Sequence, residues 1–264
     1  MIELIRDPCE TNISLFSASS ASLREVFFPG PHRILTTVVC SNDGSVKRAI
    51  GILAVLNLAI IAILLGRPSF SNASRPVRGI SNPVLAMEVV RNIAEVDEIL
   101  SDSPSPDREA MRIKQYVDFA FIGAYTALFV LMSTLLIPQG RAAAIAAAIL
   151  GVATAIFDVI ENIGILRVVD TPLDRTTQAM IDAIRYPSLG KWTLASLTLG
   201  LLGILFARRG GFGPRIVGGL NLIAALLELL GIYDNVFLMW AGIPTLGGLL
   251  GLAILFFRPY RNRR

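Results

Sequence analysis

"RAAAIAAAILGVATAIFDVIENIGIL", residues 141–166, decides what kind of molecule this is. The sixteen residues from Ala142 to Phe157 include a single polar side chain, Thr154. At about 1.5 Å per residue, such a run is what roughly 30 Å of hydrocarbon asks of a helix. Asp158, Glu161 and Asn162 follow at i, i+3 and i+4, so they share one face of that helix. An acid near the middle of a span opposes insertion by roughly 2.5–3.5 kcal/mol, and such residues face protein or water. The stretch therefore names the solvent, a bilayer, and marks the first place to look for a site.

Composition agrees. Hydrophobic residues make up 53% of the 264 and charged residues only 17%, with a mean hydropathy of +0.63; this excludes an ordinary water-soluble domain. The net charge of +4 is small, and the basic residues gather at segment ends and in the C-terminal "RPYRNRR". They read as topology determinants and headgroup contacts, with no nucleic acid implied. Cys9, Cys40 and the single histidine, His32, all lie near the N-terminus without metal-ligand spacing. Histidine-based zinc, haem or triad chemistry in the membrane region is thereby excluded.

Six stretches have the length and apolarity of spans: about 49–66, 116–137, 142–167, 190–207, 215–232 and 236–257, the last interrupted by Pro244. The chain reads as all-α, a polytopic membrane helix bundle of about six transmembrane helices plus two external amphipathic helices. Residues 1–47 form a flexible N-terminal tail, serine-rich and a poor signal peptide, and 48–264 form the bundle. In the external loop an amphipathic helix over about 83–100 starts at Asn82 and Pro83. It carries Val89, Ile93, Val96 and Leu100 on one side and Glu88, Arg91, Glu95 and Glu98 on the solvated side. A second amphipathic helix is expected over 172–185, lying flat on the membrane or capping the bundle. "NAS" at 72–74 meets the glycosylation pattern. Arg141, Arg208, Arg209 and Arg215 in the short connections, and the basic C-terminus, place both termini in the cytoplasm.

With that orientation, every membrane-embedded acid falls in the outer half of the bundle. Asp118 and Tyr125 descend span two, Asp158, Glu161 and Asn162 occupy span three, Lys191 and Trp192 open span four, and Glu228 with Asp234 ends span five. The candidate polar pocket is Asp118, Tyr125, Asp158, Glu161, Asn162, Lys191, Glu228 and Asp234. Two acids one turn apart need a shared proton, a cationic partner such as Lys191 or Arg185, or a metal ion. Each residue also has a purely structural role to weigh. Asp118 pairs with Lys114 four residues earlier, Lys191 snorkels, Trp192 anchors at the interface, and Asn57 and Asn221 bond neighbouring helices.

These features carry three functional classes. The first is a binding, assembly or sensor component with an outward-facing acidic pocket, favoured by the lack of catalytic motifs. The second is a membrane-embedded enzyme on a lipid or isoprenoid substrate, its carboxylates holding Mg²⁺ or acting as acid and base. The D-x-x-E spacing resembles the aspartate-rich metal motifs of lipid phosphotransferases and prenyltransferases, but without their second acidic motif, and it assigns the chain to neither. The third is a cation- or proton-coupled small-solute transporter. The lipid bilayer is the certain partner. Small residues at Gly200 and Gly203, Gly218 and Gly219, and Gly247 and Gly251 allow close packing within the bundle, against another membrane protein or in a homo-oligomer.

Overall fold

The computed structural model describes residues 31–66, 68–71, 76–102 and 105–257, with side chains from residue 44 onward. The described residues form eight α-helices: α1 (Pro31–Leu65), α2 (Pro83–Glu88), α3 (Ile93–Leu100), α4 (Pro106–Leu135), α5 (Arg141–Val169), α6 (Gln178–Arg208), α7 (Phe212–Gly231) and α8 (Val236–Phe257). Six are long and apolar enough to cross a membrane: α4 to α8 and the Gly44–Leu65 part of α1. The chain is a multi-pass membrane helix bundle, and its exposed apolar residues, such as Ile52 and Ile63 of α1 or Ile149 and Ile156 of α5, are what lipid covers.

The chain divides into two units, Met1–Val46 and Lys47–Arg264. Residues 31–47, expected as tail, have helical backbone as the start of α1. Residues 1–30, the "NAS" at 72–74 and the terminal 258–264 lie outside the described residues.

Within the second unit, α4 to α8 follow one another as packed neighbours, each against the next in the chain. Glycines set the closest approach. A Cβ at Gly218 would meet the carbonyl of Gly203 at 2.7 Å and the backbone nitrogen of Ala207 at 2.9 Å, so α6 and α7 run backbone to backbone there. By contrast, the part of α1 in this unit, residues 47–65, has no extended backbone packing with any helix. It touches α8 near one end, where Phe257 covers Gly51. Near its other end Lys114 of α4 donates to the carbonyls of Leu64, at 2.5 Å, and Gly66, at 3.2 Å. Thus α1 crosses the gap that the row of five leaves between α4 and α8.

Two expectations about the external helices change. The amphipathic stretch 83–100 is two helices, because Asn92 starts a second one: its side chain accepts from the backbone of Glu95 at 2.9 Å, while the Glu95 carboxylate accepts from Arg91 N at 2.8 Å. A reciprocal cap of this kind stabilises a new helix start by about 1 kcal/mol and ends the preceding one. The stretch 172–185 is not a separate helix lying flat. It forms a short turn at Leu173–Arg175 and then the first turns of α6, which continues straight through Pro187. At 31 residues, α6 is about 46 Å long against about 30 Å of hydrocarbon. Its first turns stand clear of the membrane and bury Ile181 and Ile184 against Met87 and Val90, Val96 and Leu100 of the α2–α3 segment. Together with Met111 of α4 and Val168 of α5 they make a water-style hydrophobic core that caps one end of the bundle.

Arg108 ties this cap together. Its guanidinium donates to the carbonyls of Val168, Val169 and Thr171 at 3.0, 3.0 and 2.8 Å, satisfying the last turn of α5. Its Nε donates to the Ser101 carbonyl at 3.0 Å.

Candidate functional site

Below the cap, α1 and α4 to α8 enclose a cavity of about 320 Å³, roofed by Asn82, Val84, Leu85 and Glu88 of the α2 segment. The walls are mostly apolar. Phe121, Tyr125 and Phe129 form a ladder at i, i+4 and i+8 down α4, with ring centroids 5.3 and 5.5 Å apart. Leu199, Leu249 and Leu252 face them from α6 and α8. Only two of the lining residues are exposed, Leu65 on α1 and Gly242 on α8, so the mouth lies between these helices on a flank of the bundle.

The polar lining is concentrated toward the capped end. Lys191 Nζ is its centre, donating to Glu88 Oε2 at 2.9 Å, Asp158 Oδ1 at 3.2 Å and Glu161 Oε1 at 2.9 Å. An ammonium has three donors, and all three are used. The second oxygen of Asp158 accepts from the Tyr125 hydroxyl at 2.9 Å. Asn162 donates to Asp118 Oδ2 at 2.7 Å. Trp192 donates to the same Glu88 oxygen at 3.1 Å, and its ring centroid lies 5.0 Å from the ammonium. Burial pushes the Glu88 carboxyl above its ordinary value, and the neighbouring Lys191 draws it part of the way back.

The helix register explains this convergence. At about 1.5 Å per residue, Asp158 is about 25 Å along α5 from Arg141, and Lys191 is about 25 Å along the antiparallel α6 from Arg208. The two side chains therefore meet at one level. Glu161 is one turn nearer the cap, completely buried, with no partner for its second oxygen among the described residues.

Of the eight residues proposed from sequence, Asp118, Tyr125, Asp158, Lys191 and Glu228 line the cavity. Glu161 and Asn162 sit behind them, bonded to Lys191 and Asp118. Asp234 is exposed and instead accepts from the backbone of Val236 at 3.2 Å, at the start of α8. Several structural readings change too. Lys114 is spent on the α1 carbonyls and does not pair with Asp118. Lys191 is buried at 7% exposure and does not snorkel. Glu88, expected on a solvated face, reaches down into the bundle, since the break at Asn92 re-aims α2. Asn57 donates to Leu53 of its own helix at 2.8 Å instead of to a neighbour.

Other polar groups of the lining are not consumed. Glu228 Oε2, Asn221 Nδ2 and Asn57 Oδ1 are buried without a hydrogen-bond partner among the described residues. All three residues line the cavity. Among the described residues no three Asp, Glu, His or Cys converge in a geometry that could hold a metal ion.

No protein-family model, curated protein or solved structure matches the chain.

Proposed function

We propose that this membrane protein is a binding component, a receptor or sensor, that admits a small amphiphile from the bilayer between α1 and α8. The observation that carries this is the form of the cavity. It is bounded by all six spans, walled by apolar and aromatic side chains, polar at one end, and open between α1 and α8, which touch near the opposite end at Gly51 and Phe257. A site of this composition orients a ligand by few polar contacts and holds it by apolar burial. The cap makes such a protein a sensor, because Glu88 belongs to α2 and hangs on the same ammonium that Asp158 and Glu161 hold. With the basic connections in the cytoplasm, the cap is on the outer side of the membrane.

The test uses fluorescence. The chain has two tryptophans, of which Trp192 lines the cavity and Trp240 is exposed. Trp240→Phe leaves Trp192 as the reporter, and a brominated alkyl alcohol added to the protein in micelles should quench it saturably. Gly242→Phe should weaken that quenching, since a Cβ at Gly242 meets nothing within 4 Å and a ring extending from it would narrow the mouth. Quenching that rises linearly and is indifferent to Gly242→Phe refutes the proposal.

A further inference from the structure

Four carboxyl groups line the cavity, on Glu88, Asp118, Asp158 and Glu228, and Lys191 is the only cation among the lining residues. The lysine has no donor left after Glu88, Asp158 and Glu161, and Asp118 already accepts from Asn162. Glu228 differs from the rest. It is 4% exposed, has no hydrogen-bond or ion-pair partner among the described residues, and sits on α7 in the mostly apolar wall of the cavity. A second acceptor, Asn57 Oδ1, is buried and has no partner among the described residues; it lies on α1, which forms one side of the mouth. The amide of Asn57 cannot turn this oxygen to another use without giving up its bond to Leu53.

An unpaired carboxyl group in an apolar wall leaves a buried acceptor unused, and its ionised form is favoured there only by a donor that also carries positive charge. The aromatic ladder of Phe121, Tyr125 and Phe129 shares the same space, and aromatic faces attract cations. An inorganic ion would need several oxygen ligands around it, and no such cluster forms among the described residues. An ammonium bearing an apolar chain satisfies the walls and the free acceptors together. Resting on the amphiphile-binding function proposed above, we infer that the ligand is a protonated alkylamine, with Glu228 as its anionic partner and Asn57 as its second acceptor.

Isothermal titration of the purified full chain in nonionic micelles tests this with three probes of one chain length: decylammonium, decanol and decanoate. Decylammonium should bind at least about tenfold more tightly than either of the others. Glu228→Gln, which breaks no bond in the structure, should abolish that preference and leave decanol binding unchanged. Glu228→Asp should restore part of it, and Asn57→Leu should weaken decylammonium about threefold or more. Gly242→Phe should weaken all three probes. A preference for decylammonium that survives Glu228→Gln, or equal binding of the three probes to the unaltered protein, overturns the ammonium inference while leaving the cavity in place. Binding of every probe that ignores Gly242→Phe overturns the cavity reading itself.

Discussion

Replacing Lys191 by Met keeps the length of the side chain and removes the charge on which three carboxylates converge. Lys191, Asp158 and Glu161 keep only 8, 7 and 0% of their side-chain surface exposed, and Glu88 keeps 14%. At separations of about 3 Å and an effective dielectric of about 20, each contact is worth roughly 5 kcal/mol of Coulomb attraction. Desolvation of the ammonium and repulsion among the acids offset most of that sum. The net loss on deleting one member of a buried ionic cluster is typically about 3–5 kcal/mol. For a chain of this size that lowers the melting temperature by roughly 6–20 °C. Circular dichroism of the protein in micelles at neutral pH would measure it. The double variant Lys191→Met, Glu161→Gln should recover part of the loss, because it removes one of the stranded charges. A shift below about 2 °C for Lys191→Met, or a double variant less stable than the single one, would refute the assignment of Lys191 as the centre that neutralises the cluster.

Glu88 gives a pH test. Its raised value means the folded state holds the proton more tightly than the unfolded chain, so its stabilising contribution is complete below the ordinary carboxylate range and is lost as pH rises through the folded value. Glu88→Gln keeps an acceptor for Lys191 and Trp192 without that loss. Its melting temperature relative to the unaltered protein should be near equal at about pH 4 and rise toward pH 8; a relative fall with pH would contradict the burial argument. Gly218→Ala places a methyl against the backbone of α6 and should cost about 1–3 kcal/mol. Gly219→Ala, where nothing lies within 4 Å, should be neutral or stabilising by up to about 1 kcal/mol, and thermal melts of the pair will separate packing from helix propensity. Arg108→Met strands the carbonyls of Val168, Val169 and Thr171. It should cost roughly 2–4 kcal/mol and speed amide exchange across residues 168–177, whereas unchanged exchange there would mean the guanidinium does not hold the cap.

How far the sequence discloses this arrangement depends on which physical signal each residue carries. The spans announce themselves because a bilayer demands long apolar runs, and α8 occupies residues 236–257 as expected. Asp158, Glu161, Asn162 and Lys191 announce themselves as well, because a charge in a membrane is conspicuous and helix length fixes its depth. Glu88 carries no such mark. It sits among Arg91, Glu95 and Glu98 with the periodicity of a solvated face, and only the second cap at Asn92 breaks that face and turns Glu88 inward. The N-x-x-E spacing from Asn92 to Glu95 was the available clue. The stretch 172–185 misleads in the opposite direction. It reads as a separate helix, yet α6 runs on from it through Pro187, because tertiary packing holds the turns on both sides: Gly164 of α5 lies against the Ala183 carbonyl, and Phe157 lies against Gly190.

Arg108 and Glu228 mark the limit more sharply. In an external loop an arginine reads as a solvated charge, whereas here it is 3% exposed and closes the end of α5 sixty residues away. Nothing local encodes that pairing. Glu228 is visible as an intramembrane acid, but its lack of a partner among the described residues depends on where six helices place their side chains, and Lys191 is close enough in depth to have been its partner. The register of α5 against α6 gives the lysine to Asp158 and Glu161 instead. The site therefore has two chemically different parts. One is a neutralised cluster that joins the cap to the bundle. The other is a buried acid in the cavity wall with no partner among the described residues, and it is the group on which the ligand proposed above would act.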